Sequence, residues 1–86
     1  MKTAITLLEA DTPALLDRCL AVRQAVFTGE LGVPAEVERD SQDCLDGECR
    51  HFLITRDGQD IGAVRCLPQA DGTLQLQRFC VRRDCR

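Results

Sequence analysis

Residues 51–81, HFLITRDGQDIGAVRCLPQADGTLQLQRFCV, decide the fold. Three runs rich in β-branched, aliphatic and aromatic residues, 51–56, 60–67 and 73–81, are separated by Asp57-Gly58 and Asp71-Gly72. Asp-Gly between such runs favours a tight hairpin, because both residues tolerate the positive φ that the turn demands. The stretch therefore reads as a three-strand antiparallel meander. Two-residue turns would set Ile54 opposite Ile61, Phe52 opposite Ala63, and Arg65 opposite Arg78. One face would carry Phe52, Ile54, Ile61, Ala63, Leu67, Leu74, Leu76 and Cys80 around the two arginines. The other would carry Leu53, Val64, Cys66, Phe79 and Val81 with His51 and Gln77. Like charges opposed on a sheet destabilise it unless an anion lies between them, and Glu30, Asp40 and Asp43 are candidates.

Upstream, residues 2–8 alternate loosely and suit a first strand. Thr12-Pro13 opens a helix, with Thr as N-cap and Pro at the first helical position. The helix is expected over 13–28, ending at Gly29 or Gly32. Leu15, Cys19, Val22 and Val26 form one apolar seam, and Leu16, Leu20 and Phe27 form a second. Arg23 interrupts the second seam and requires a carboxylate, since an unpaired buried charge is costly. Glu30 or the acidic segment can supply one. Residues 34–50 read as polar and irregular, with room for one helical turn. Both sheet faces are apolar, yet one strong helix is available to cover them. The chain must therefore continue, pair with a second copy, or expose an apolar face.

An 86-residue chain holds a single domain, residues 1–86, with a core of modest size. The net charge of −3 argues against a nucleic-acid module. The charge is nevertheless uneven: Glu36, Glu38, Asp40, Asp43, Asp46 and Glu48 crowd one segment, and Arg78, Arg82, Arg83 and Arg86 gather at the end. No stretch approaches a signal-peptide core or a membrane span, which points to the cytoplasm and to free thiols for the six cysteines. Cys19, Cys66 and Cys80 fall in periodic segments as small core residues, whereas Cys44, Cys49 and Cys85 lie in polar surroundings. A zinc reading of Cys44, Cys49, His51, Cys80 and Cys85 has unfavourable spacing, and the expected register puts His51 and Cys80 on opposite faces. No metal is expected.

The run 22–43, VRQAVFTGELGVPAEVERDSQD, followed by 51–81 and then RRDCR, resembles the GNAT superfamily of N-acetyltransferases. Arg23, Val26, Phe27, Glu30, Val33, Pro34, Glu36, Glu38, Asp40 and Asp43 match an R-x-x-V-F-x-x-E-x-x-V-P-x-E-x-E-x-D-x-x-D opening of small bacterial members. His51, Gly62, Arg65, Arg78, Val81 and Arg86 match downstream. The resemblance implies an α/β (α+β) fold and acyl transfer from acetyl-CoA to a primary amine of a small molecule or peptide. Backbone groups of Phe79, Cys80 and Val81 would bind the cofactor's pantetheine arm, with Arg86 opening the phosphate-binding signature. Glu30 is the candidate proton acceptor. The glycines of that signature, the helix after it, later strands and a tyrosine acid all lie beyond Arg86 in the family, so this portion alone is expected to be inactive and to bind acetyl-CoA weakly. Two alternatives accompany this reading: a non-catalytic module that dimerises through its open face, and an enzyme like the acyl-homoserine-lactone synthases.

Overall fold

The computed structural model describes residues 4–86. Four antiparallel strands form one sheet in the order β1-β2-β3-β4, with β1 Ile5–Glu9, β2 Arg50–Arg56, β3 Gln59–Pro68 and β4 Leu74–Val81. Helix α1, Pro13–Arg23, starts where the Thr12 hydroxyl accepts from Leu15 N–H at 3.2 Å. It continues without interruption into a wider π-helical segment, Gln24–Glu30. A short turn α2, Ala35–Glu38, leads into the acidic loop. The expected first strand and meander are present, and the part of that first strand at residues 2 and 3 lies outside the described residues.

The register departs from expectation beyond the first hairpin. Asp57 (φ +50°) and Gly58 (φ +83°) form the two-residue turn, and Arg56–Gln59 and Thr55–Asp60 pair as anticipated. A bulge then intervenes, so Ile54 pairs with Gly62 and Leu53 with Ala63. One extra residue reverses which side chains share a face. Leu53 and His51 therefore join Ala63 and Cys80 under the helix, and Phe52 and Ile54 move to the open side. The second loop is longer than two residues: Pro68 pairs with Leu74, and Gln69 N–H donates to Thr73 O. Arg65 consequently faces Gln77 rather than Arg78, and Leu74 and Leu76 turn to the open side with Val64, Cys66, Phe79 and Val81. A second bulge near Arg78 (φ +54°) restores the anticipated pairs Ala63–Cys80 and Gly62–Val81.

Helix α1 and its π-helical continuation cover one face through Cys19, Val22 and Val26, which pack on Leu53, Ala63 and Cys80. Cys49 is buried too, against its polar sequence context. The opposite face is uncovered among the described residues, and Leu7, Leu76 and Phe79 are each about 61–62% exposed.

Gly62 sits where the sheet leaves no room for a side chain, since a Cβ there would meet the Cys80 carbonyl oxygen at 2.5 Å and Ile54 and Val81 methyls at 3.2–3.3 Å. Backbone cannot yield as a flexible side chain would. Gly62→Ala should therefore cost about 2–3 kcal/mol in urea unfolding, against about 1 kcal/mol for Gly58→Ala, where φ alone is strained and space is open. Equal losses at the two positions would refute the steric account.

Candidate functional site

The acidic segment closes over the helix-side face through three arginines. Arg23, 1% exposed, donates from Nε to Glu38 Oε1 at 2.6 Å and from Nη1 to Asp43 Oδ1 at 2.6 Å. Asp43 also accepts from Arg65 Nη1 at 3.0 Å, so it bridges helix and sheet. Arg65 grips Asp40 with two nitrogens at 2.6 and 2.7 Å. Arg78 reaches the same Asp40 at 3.5 Å and donates to the Glu38 carbonyl oxygen at 3.0 Å. The sequence required anions near Arg23, Arg65 and Arg78, and Glu38, Asp40 and Asp43 supply them.

Asp40 and Asp43 are poor bases. The bidentate Arg65 guanidinium holds the Asp40 carboxyl down at about 2. Burial alone would raise Asp43, but the guanidiniums of Arg23 and Arg65 leave it below the usual range. Glu30 does not meet Arg23. The π ladder turns less per residue than an α-helix, which rotates Glu30 away from the seam. It instead accepts from Arg86 Nη2 at 2.8 Å and from the Arg83 backbone N–H at 3.1 Å.

Phe79, Cys80, Val81 and Arg86 line one open hollow at the outer edge of β4. The Cys80 carbonyl points toward Gly62 of β3. Strand alternation then turns the N–H and C=O groups of Phe79 and Val81 outward, and Arg86 Nε donates to the outward Val81 oxygen at 2.9 Å. No strand pairs with that edge among the described residues. The Cys80 thiol itself lies in the core, and burial pushes its pKa up, as it pushes Cys19 up to about 11. Both are packing groups rather than nucleophiles. His51, also buried, donates from Nε2 to the Gln42 carbonyl at 3.0 Å and pins the acidic loop to the sheet. His51 and Cys80 share the helix-side face, contrary to the expected register. No cluster of three or more potential metal ligands occurs among the described residues.

Hollows also occur away from the expected site. Arg18, Asp60 and Arg82 border one of about 480 Å³. Phe27, Val33, Val37, Glu38 and Arg78 border another of about 210 Å³. The four-residue spacing of Val33 and Val37 across the α2 turn was the available signal for the second.

No protein-family model matches the chain. A Bacillus subtilis (strain 168) protein designated an acetyltransferase is 32% identical over 71 residues, 83% of this chain and 48% of its own length. A crystallised Lactobacillus plantarum protein, assigned by its name as an N-acetyltransferase, superposes with a TM-score of 0.82 at 32% identity, over 96% of this chain and 56% of its own. An acyl-CoA N-acyltransferase from Pseudomonas aeruginosa gives 0.72 at 29% identity, over 96% and 58% respectively. The chain thus spans about half the length of the proteins it matches.

The arginine network sets an acid limit. Asp40 has its pKa lowered on folding from 3.8 to about 2. Its stabilising contribution is complete above about pH 4 and is lost as pH falls toward 2. Urea midpoints should therefore drop across that window, and Asp40→Asn should flatten the drop. An unchanged slope in the variant would contradict the assignment.

Proposed function

Because this chain shares fold and sequence with the amino-terminal portion of the GNAT-superfamily acyltransferases, we propose that it is the donor-binding portion of an acetyl-CoA-dependent N-acetyltransferase. The observation that carries the reading is the unpaired edge of β4, where the outward amides of Phe79 and Val81 share a hollow with Arg86. Acetyl-CoA supplies the acyl group as a thioester. Outward amide groups fit its pantetheine arm in the manner of an added strand. An N–H so directed can also polarise the thioester carbonyl as an amine attacks. Arg86 lines the same hollow and would meet an anionic part of the donor once its Nε releases the Val81 carbonyl. Glu30, engaged on both oxygens by Arg86 and the Arg83 amide, anchors residues 82–86 beside this edge. With Asp40 and Asp43 held low, the amine's proton is best relayed through water.

An acetyl-CoA titration followed by amide NMR tests this. Shifts should concentrate at Phe79, Val81 and Arg86 with a millimolar dissociation constant. Shifts confined to other residues, or none at millimolar donor, would overturn the donor site.

The exposed side of the sheet favours a second, compatible role in association. Each large aliphatic or aromatic side chain left in water forfeits ~1.5–3 kcal/mol, and Leu7, Leu74, Leu76 and Phe79 are all more than half exposed. The 86-residue chain should sediment as a dimer or larger species at micromolar concentration. A cooperatively melting monomer would rule this out.

A further inference from the structure

The bulge in β4 turns Arg78 toward the acidic loop, and the loop uses only one edge of its guanidinium. Nε donates to Glu38 O at 3.0 Å, and Nη2 lies 3.5 Å from Asp40 Oδ2. That carboxylate is already held by Arg65 at 2.6–2.7 Å, so its bond to Arg78 is weak. Nη1 has no hydrogen-bond partner among the described residues. The side chain remains 32% exposed. Arg78 also keeps a left-handed backbone, φ +54°, at a cost of roughly 1–3 kcal/mol for a residue with a Cβ. A solvated surface arginine needs none of this arrangement.

The half-used guanidinium borders the hollow of about 210 Å³ whose apolar walls are Phe27, Val33 and Val37. The other charged residue lining the hollow, Glu38, is buried and neutralised by Arg23 at 2.6 Å. The next residue along β4 is Phe79, whose outward amide belongs to the donor edge. We propose that this hollow selects the acceptor as an amine that also bears a carboxylate and a small branched apolar group, as an α-amino acid does. The free end of Arg78 receives the carboxylate through two parallel N–H donors. Phe27, Val33 and Val37 receive the apolar group. The amine part of this assignment rests on the acyltransferase reading, whereas the recognition of an apolar carboxylate does not. Three arginines here already balance Glu38, Asp40 and Asp43, so the attraction is local hydrogen bonding rather than a strong field. Millimolar affinity is the expected scale.

The test titrates the unaltered 86-residue chain, without acyl donor, with L-leucine and separately with L-leucinamide. Leucine should shift the amides of Val33, Val37 and Arg78, and leucinamide, which lacks the carboxylate, should bind at least about tenfold more weakly, a difference of ~1.4 kcal/mol. Arg78→Lys should keep part of the leucine response, and Arg78→Gln should lose it. Equal binding of the two ligands, or leucine shifts that avoid these residues, would overturn the proposal. The ligand comparison needs no variant, so it decides the matter even where Arg78→Gln disturbs the bulge. Leucine failing while acetyl-CoA still shifts Phe79 and Val81 would remove the acceptor assignment alone. Leucine binding with no acetyl-CoA response would keep the carboxylate site and remove the donor reading.

Discussion

A guanidinium with 1% exposure, Arg23 of α1, is the constraint around which the helix-side half of the protein is arranged. Such a charge cannot be left unpaired. Deleting one member of a buried pair typically costs about 3–5 kcal/mol, because the other charge stays behind without solvent or partner. Glu38 and Asp43 must therefore be brought to the helix, which fixes both ends of the intervening acidic stretch. Asp43 then has an oxygen available to Arg65, and Asp40 follows onto the same arginine. A segment with almost no apolar content is held in place by charge pairing and by His51, in the absence of a core of its own.

The two bulges determine what that network can reach. Without the irregularity at Ile61, Leu53 would face away from α1 and the helix would lack its best-buried sheet partner. Without the one near Arg78, a regular strand continuing from the Arg65–Gln77 pair would turn that side chain onto the face opposite Gln77, away from the acidic loop. The bulge instead brings its guanidinium to Glu38 and Asp40. It also leaves the Phe79 and Val81 backbone groups facing outward at an edge where no described strand pairs. A single distortion thus prepares both the proposed donor edge and the proposed acceptor hollow, which accounts for the conformational cost carried by Arg78.

The open face has a different physical status. Most of its side chains are apolar, Leu7, Leu76 and Phe79 among them well exposed, and the polar groups that share it include Arg56 and the Glu9–Arg50 pair, whose guanidinium lies 5.6 Å from the Phe52 ring centre. Folding of the helix-side core and cover of the open face are therefore separate problems. The first is solved by Cys19, Val22 and Val26 on Leu53, Ala63 and Cys80, and the second calls for additional protein surface.

Much of this was legible in the residues themselves. Thr12-Pro13, Asp57-Gly58 and the three apolar runs are local signals, and each forms the element it announces because capping, turn formation and strand propensity act within a few residues. The need for anions around Arg23, Arg65 and Arg78 was legible too, as was the shortage of cover for the sheet. Pairing beyond Thr55–Asp60 was not, since nothing in Ile61 or Arg78 marks an extra residue, and a one-residue slip inverts the faces. The π-helical turn that carries Glu30 to Arg86 was equally hidden, as was the choice of Glu38 over Glu36 for Arg23. Those outcomes depend on which long-range arrangement buries Leu53 and Arg23 together while leaving neither a void nor an unpaired charge. That condition applies to the packed chain as a whole, and only the tertiary structure could meet it.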